Sequence, residues 1–449
     1  MFNKKIFKNH LLEFLDDALI LCEKNSDKLV SDDIKWPIFF PTGKYKKYAI
    51  KKIPDYDFFI NHTIKNEIFQ LQKYFIVKKF FVTKEIQNYN KKLLGDAHEH
   101  FETKPNFAKD LPLKFLIKYF EQNGEFTKNK KIFDKTFEKF FSFLENILED
   151  EYVTPLFNFE SNIDEKGITI NDVVIRKFND LEFYTFTNLD DNSNLSNTFH
   201  DLTHVMFTKY SSSNLNSGYD FVKDRFQILL DSLSLFTFGN PQFGTIFVNI
   251  NNPWMHYDSS YEKEVLHQKS LHFKKEELRK VKLIFDSLSI IDFSKKENKF
   301  LEIAIGRFGS ALSRTSEIDQ LIDLIISIES LYVSGSGETA VRLSNRLSTL
   351  LAKNDEQRED YWLFTKKVYN LRSGIIHGEG LRSTEINGKK YSFDEILVQL
   401  VDLTRKSILN YLKLVNHYSG NRKMAKICDD IDAALINKQK LKALQSYLK

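Results

Sequence analysis

The chain has 449 residues, which favours two or three domains over one. Its 65 basic and 61 acidic residues nearly balance at a formal charge of +4, so any nucleic-acid surface must be a local patch. Its 2 cysteines exclude a disulfide framework, and no apolar run is long enough to cross a membrane. Acidic residues also interrupt the N-terminal apolar stretch, whereas the apolar core of a secretory signal peptide is uninterrupted. We expect a cytoplasmic protein without a membrane partner.

Residues 1–150 mix helical and strand-like patterns. The segments "LPLKFLIKYF" and "FDKTFEKFFSFLENILEDE" repeat apolar residues at helical spacing. The segment "WPIFFPTGKYKKYAIKKIPDYDFFI" favours strands joined by turns, because it is divided by Pro37, Pro41, Gly43 and Pro54. We interpret this stretch as a mixed α/β N-terminal region.

Residues 151–293 are predicted to be rich in strands. The segments "TPLFNFES", "GITINDVVIRKF", "LEFYTFTNL" and "GTIFVNINNPW" carry β-branched and aromatic residues between turn signals. One helix is expected near "VKDRFQILLDSLSLF". We interpret this stretch as a sensor or regulatory region, although its sequence indicates no ligand.

Residues 294–449 change to long amphipathic helices, which predicts an all-α bundle of four or five helices. Ser316 is a plausible N-cap of the second helix, and Gly378 ends the fourth. The predicted helices lie in "KKENKFLEIAIGRFGSALSR", "SEIDQLIDLIISIESLYV", "TAVRLSNRLSTLLA", "EQREDYWLFTKKVYNLRSGIIHG", "SFDEILVQLVDLTRKSILNYLKLV" and a charged tail. The fold class predicted for the whole chain is therefore α+β and multidomain.

Two of these helices each place one charge on an apolar face. Glu329 lies inside the apolar stripe of the second helix, and Arg372 lies inside that of the fourth. Because an unpaired buried charge is strongly unfavourable, each needs a partner. We infer that Glu329 and Arg372 meet, directly or across a small polar cleft. A structural ion pair that fixes the helix register is the alternative, and on these two residues alone it is favoured.

His377 follows Arg372 by five residues, at the end of the same helix. On an ideal helix the two side chains point in different directions. They can converge if the helix end unwinds or if a second copy of the chain supplies the partner. The alternative is a C-capping histidine that the helix dipole favours, and the residues alone support both interpretations equally.

The spacing of Arg372 and His377 resembles the R-x4-H signature of the HEPN superfamily. The segments "RFGSALSRTSEIDQLIDLIISIESLYV", "RLSNRLSTLL" and "VYNLRSGIIHG" are similar to its ApeA-like branch, over about residues 295–417. The resemblance implies a helical bundle that acts as a homodimer and as a metal-independent endoribonuclease without a cofactor. It also implies a bacterial protein of antiphage defence by abortive infection, with a phage-derived trigger and transfer RNA or another host RNA as its target.

Carried over to this sequence, the resemblance makes Arg372 and His377 catalytic, with Glu329 as the family's acidic residue. Ser373 would donate a hydrogen bond to a phosphate. The residue types fit cleavage by the RNA's own 2′-hydroxyl, since a histidine can accept its proton and an arginine can stabilise the transition-state charge. The products would be a 2′,3′-cyclic phosphate and a 5′-hydroxyl.

Further arginines near the motif are candidate contacts to RNA phosphates. Each of them alone is more commonly a solvated surface charge. The candidates are Arg342, Arg346, Arg382 and Arg405. A second function from a different class stays open, in which the bundle only dimerises or binds a partner as a scaffold.

Three rival sites are weaker. His200 and His204 flank Asp201 at the spacing of a metal-binding helix, but the glutamate of H-E-x-x-H is absent and the surrounding sequence is strand-like. The remaining two are an H-x-H pair better explained as a charged turn, and a glycine loop that lacks the lysine of a phosphate loop. They are His98 with His100, and Ser334 to Glu338.

Overall fold

The computed structural model describes residues 3–39, 45–81, 107–145, 149–163, 166–179, 182, 203–211, 215–237, 239–249, 258–260, 270–334, 338–378, 384–386, 388–418 and 424–448. Within these residues the chain is a mixed α+β protein with a helical C-terminal region. The chain divides into two compact units, and each unit is assembled from three stretches of chain. The first unit is Met1–Pro155, Lys177–Asp224 and Gly244–Lys263, and the second is Leu156–Arg176, Arg225–Phe243 and Glu264–Lys449.

The N-terminal part of the first unit is a helical core with one hairpin. Its elements are α1 (Lys4–Lys24), β1 (Ser31–Phe39), β2 (Tyr45–Pro54), α2 (Tyr56–Phe58), α3 (Lys65–Ile68), α4 (Gln72–Lys79), α5 (Phe107–Asn123) and α6 (Lys130–Glu145). The Asn3 side chain caps α1 by accepting from two backbone N–H groups. Buried aromatic rings fill the space between the helices, and Phe7 meets Phe81 edge to face at 5.5 Å.

The hairpin lies where prolines and a glycine divide the sequence. Strands β1 and β2 pair antiparallel along their length, with Ser31 opposite Pro54. The residues after Pro54 turn into helix instead of a further strand, since Asp55 caps α2 through the backbone N–H of Phe58. The strand prediction for this segment is therefore confirmed only up to Pro54.

Strands and two helices make up the middle of the chain. In order they are β3 (Glu149–Phe157), β4 (Phe159–Ser161), β5 (Ile168–Ile170), β6 (Val173–Lys177), β7 (His204–Ser211), α7 (Leu215–Phe236), β8 (Gln242–Phe243), β9 (Ile246–Val248), β10 (Asp258–Ser260), β11 (Leu271–Phe273) and α8 (Lys275–Ser289). Strand β9 pairs antiparallel with β3 and with β10 in the first unit. In the second unit β5 pairs antiparallel with β6, and β4 pairs parallel with β11.

The C-terminal region of the second unit is helical, as the sequence predicts. Its elements are α9 (Lys299–Ser313), α10 (Glu317–Tyr332), α11 (Thr339–Leu351), α12 (Asp355–Ile376), β12 (Thr384–Ile386), β13 (Lys389–Tyr391), α13 (Phe393–His417), α14 (Met424–Ile436) and α15 (Lys438–Tyr447). Ser316 caps α10, and Ser392 forms a capping box with Glu395 at the start of α13. The small hairpin β12–β13 and the division of the tail into two helices were not predicted.

Apolar burial and one buried carboxylate hold α9 against α10. The apolar face of α10 is fully enclosed through Leu321, Leu324, Ile325 and Ile328, and each such side chain contributes about 1.5–3 kcal/mol. Asp323 is 2% exposed on the same helix. Its two oxygens accept from Arg307 at 2.8 Å and from Arg314 at 2.7 Å, so two guanidinium groups satisfy one buried charge.

Among the described residues, no helix combines the length and the apolar character that crossing a bilayer requires.

Because His204 on β7 is buried, the free energy of unfolding is expected to depend on pH. Burial lowers the pKa of His204 to about 4 from 6.5, with a smaller effect of the Lys177 ammonium. Between these pH values the unfolded chain binds a proton that the folded chain excludes, so stability is lost as the pH falls below 6.5. We expect this residue to reduce the free energy of unfolding by about 2 kcal/mol between pH 7 and pH 5.

The measurement is urea unfolding of the wild type and of His204→Gln at pH 7 and pH 5. The variant should lose about 2 kcal/mol less than the wild type on acidification, whatever its stability at pH 7. The same pH dependence in both proteins would contradict the burial effect.

Candidate active site

Helices α10 and α12 carry the two charges that the sequence places on apolar faces. Arg372 follows the buried Val368 by one turn of α12, and Glu329 follows the buried Ile325 by one turn of α10. Side chains three or four residues apart share a helix face. Both charged residues are half-buried in the structure, so each lies at the margin of the core of the second unit.

Glu329 and Arg372 do not form an ion pair among the described residues, and Tyr369 lies near both of them. Tyr369 precedes Arg372 by one turn of α12, and the Glu329 carboxylate lies close enough to its hydroxyl to raise the pKa of the phenol. Thr339, in the first turn of α11, is also near this hydroxyl and lowers its pKa. We call these four residues the Tyr369 cluster.

The electrostatics of Tyr369 show that both charges lie close to it. Burial raises the pKa of Tyr369, and the Glu329 charge raises it further, whereas the Arg372 charge acts in the opposite direction. The phenol therefore stays protonated and remains a donor at neutral pH. Tyr369 was missed by the sequence reasoning, although its position one turn before Arg372 is the signal that identifies it.

One donor of Arg372 has no protein partner. Its Nε is buried and makes no hydrogen bond to any residue that the structure describes. Leaving a buried donor unsatisfied costs about 1–3 kcal/mol, so an orphaned donor at a guanidinium demands an explanation. An anion bound at the margin of the core would satisfy it, because the guanidinium fork matches the geometry of a phosphate.

His377 lies at the C-terminal cap of α12, with its side chain exposed. Its backbone N–H donates to the Ser373 carbonyl at 3.1 Å, so the helix is intact up to this point. Five residues of helix rotate the His377 side chain by roughly 140° from that of Arg372. Gly378 then leaves the helix with a φ of +90°, a conformation that favours glycine. One copy of the chain therefore does not bring Arg372 and His377 together through an unwound helix end.

Arg346 is committed to contacts within the second unit. Its Nε and Nη2 donate to the two oxygens of Asp432 at 2.8 and 2.7 Å. Its Nη1 donates to the Tyr332 carbonyl at 2.6 Å, at the end of α10. The residue is 6% exposed. These contacts fix α10 and α14 to α11, which is a structural role and not the geometry of a surface phosphate contact.

The other candidate phosphate contacts are half-buried or lie outside the described residues. Arg342 donates from Nη1 to the Ser334 carbonyl at 3.1 Å. Arg405 donates from Nη1 to the Phe236 carbonyl at 3.1 Å, at the C-terminal end of α7. The predicted contact Arg382 falls outside the described residues.

The rival sites gain no geometric support. His204 lies on strand β7, 1% exposed, and not on a helix. Across the described ranges, no group of three or more histidine, cysteine, aspartate or glutamate side chains is arranged to hold a metal ion. The other rival residues lie outside those ranges, namely His98, His100, His200, Asp201 and residues 335–337.

Comparison of the chain with family models, with curated proteins and with solved structures finds no match. The resemblance to HEPN domains therefore stays a prediction that rests on the quoted residues.

The contacts of Arg346 and Arg342 generate a prediction on stability. Arg346→Ala should lower the free energy of unfolding by about 2 kcal/mol, because charge-assisted hydrogen bonds to Asp432 and to the end of α10 are lost. Arg342→Ala, which removes the same charge one helical turn earlier, should lower it by less than about 1 kcal/mol. Urea unfolding measures both, and equal losses would show that Arg346 has no special structural role.

Proposed function

We propose that the chain is a metal-independent endoribonuclease of the HEPN type that acts as a homodimer. The orphaned Nε of Arg372 supports the proposal most, since this donor lies on the same helix end as His377. We further propose a cytoplasmic role in antiphage defence by abortive infection, with transfer RNA as a candidate target. This wider role rests on the resemblance of the R-x4-H segment to ApeA-like proteins.

In the proposed reaction the RNA supplies its own nucleophile. His377 accepts the proton of the 2′-hydroxyl, whose oxygen attacks the adjacent phosphorus. The new O2′–P bond forms as the P–O5′ bond breaks, and O5′ takes up a proton. Arg372 donates to the non-bridging oxygens, on which negative charge accumulates in the transition state. Ser373, the next residue along α12 and half-buried, would add a hydroxyl donor to the phosphate.

The angle between Arg372 and His377 supports a site shared by two copies. Because the side chains diverge by roughly 140° on one helix, the histidine of one copy would act with the arginine of the other. Ile376, next to His377, is 50% exposed, and such an apolar side chain is suited to burial against a second copy. An isologous contact about a two-fold axis would create two equivalent composite sites.

A non-catalytic scaffold is the second candidate function. The same exposed Ile376 favours it, because a dimer contact through the end of α12 needs no chemistry at His377. In that case Arg372 would bind an anion or a partner carboxylate without turnover.

The first test is expression of wild type, Arg372→Ala and His377→Ala in a bacterial host, with and without phage infection. We expect RNA fragmentation and growth arrest with the wild type, and a loss of cleavage of about 100-fold or more in each variant. Lys367→Ala, an exposed charge on the same helix, is the matched control and should cleave like the wild type. Cleavage by the purified protein should persist in EDTA, and the ends should be a cyclic phosphate and a 5′-hydroxyl.

Equal behaviour of the wild type and the two variants in infected cells would exclude the nuclease and leave the scaffold. Loss of cleavage in EDTA would instead point to metal chemistry.

The second test asks whether the site is shared between copies. Equal amounts of Arg372→Ala and His377→Ala, mixed so that subunits exchange, should recover about a quarter of the wild-type cleavage rate, since half of the dimers are mixed and each holds one complete site. A site within one copy predicts no recovery, and each variant alone serves as the control.

A further inference from the structure

One side of α12 carries aromatic and polar side chains in a row that ends at His377. At about 100° per residue, Trp362, Lys366 and His377 all lie within roughly 40° of Ser373 on the helix circumference. Arg372, by contrast, is turned away from Ser373 by roughly 100°. The first three residues of the row are half-buried and His377 is exposed, so each keeps part of its surface accessible. We call Trp362, Lys366, Ser373 and His377 the α12 row.

Lys366 has a defined position but no negative partner. Its ammonium nitrogen lies 4.6 Å from the centroid of the Trp362 ring, which is a cation–π contact across one turn of α12. The indole is held in turn, because its Nε1–H donates to the side-chain oxygen of Asn345 on α11 at 2.7 Å. No carboxylate among the described residues pairs with Lys366. The ring therefore orients this charge without neutralising it.

We propose that Lys366 binds a phosphate of single-stranded RNA whose backbone follows the α12 row to His377, and that Trp362 positions the ammonium group. This inference rests on the proposed function, because it extends the same site along the helix that carries the motif.

The distance from Lys366 to His377 suits a short run of nucleotides. The two residues are separated by about 16 Å along the helix axis. A single strand spans this distance with roughly three to five nucleotides, since each adds about 3.4 Å when stacked and more when extended. The Ser373 hydroxyl lies between them and is a further donor to the backbone. Lys366 would thus hold the RNA several nucleotides from the bond that breaks, without contact to the reacting atoms.

The alternative is that Trp362 and Lys366 form only an intrahelical contact that stabilises α12. Such a contact affects folding, but it gives no reason for RNA binding to depend on Lys366. The number of phosphates that a protein neutralises sets the salt dependence of its binding to RNA, so this dependence separates the two interpretations.

The first test is a salt titration of binding between the full chain carrying His377→Ala, which prevents cleavage, and a single-stranded RNA of about 12 nucleotides. Adding Lys366→Gln should weaken binding by about 10-fold at low salt and lower the slope of log affinity against log salt by about 0.7, the value for one phosphate on a single strand. Lys366→Arg should keep the slope, because it keeps the charge over the ring. Lys367→Gln, which removes an exposed charge on a different side of α12, is the matched control and should also keep the slope.

An unchanged slope in Lys366→Gln, an equal fall in Lys367→Gln, or no RNA binding at all would overturn the inference. None of these outcomes depends on turnover, so they are distinct from a failure of the nuclease proposal, which the cleavage assays of Arg372→Ala and His377→Ala decide. Thermal unfolding of each variant separates a change of stability from a change of binding.

The second test locates the phosphate relative to the cleaved bond. A dinucleotide is too short to reach from His377 to Lys366, so Lys366→Gln should leave its cleavage rate unchanged. With limiting substrate, the same variant should cleave the longer RNA about 10-fold more slowly than the wild type. Equal slowing of both substrates would show that the substitution disturbs α12 itself, which contradicts the inference.

The role of Trp362 is tested through Lys366. Trp362→Leu should weaken binding of the longer RNA by about 4-fold, because the ammonium is no longer held in place, and in the Lys366→Gln background it should change binding by less than about 1.5-fold. The same loss in both backgrounds would show that Trp362 does not position Lys366.

Discussion

The buried Nε of Arg372, which has no hydrogen-bond partner among the described residues, is the constraint from which the proposed function follows. An ion pair between α10 and α12 would fix the helix register and leave nothing for a ligand. The Tyr369 cluster keeps the two charges near each other and still leaves a buried donor of Arg372 without a protein acceptor. An unsatisfied buried donor is unfavourable in a bundle built for stability alone, and a bound anion would satisfy it.

The helical frame around the cluster holds Glu329 in place through its backbone. The last two carbonyls of α10 accept side-chain hydrogen bonds, since Tyr411 donates to the Leu331 carbonyl at 2.6 Å and Arg346 donates to that of Tyr332 at 2.6 Å. Glu329 lies within the same final turn, where its own carbonyl accepts from the Val333 N–H. The hydrogen bonds from Tyr411 and Arg346 thus hold the last turn of α10, on which the Glu329 carboxylate lies.

Much of the C-terminal fold was accessible from periodicity and capping signals, because local interactions determine both. Ser316 and Ser392 start helices by accepting backbone N–H groups, a contact that lies within four residues of sequence. The candidate site was accessible only in part, since the apolar stripes locate Glu329 and Arg372 but do not show that the two residues form no ion pair. The role of Arg346 depends on Asp432, far away in sequence, and no local pattern contains that pairing. At His204 the strand-like sequence around it was the better guide than the metal-like spacing, since the residue lies on β7.

The two arginines that bind Asp323 also affect how the second unit tolerates amino-acid substitutions. A buried carboxylate with one cation loses its neutrality in a single substitution, but here Arg307 and Arg314 each bind a different oxygen. If either arginine is replaced, the other still neutralises the charge, although one oxygen loses its hydrogen bond. The junction of α9 and α10 should therefore lose less stability in a single substitution than a buried carboxylate that depends on one arginine.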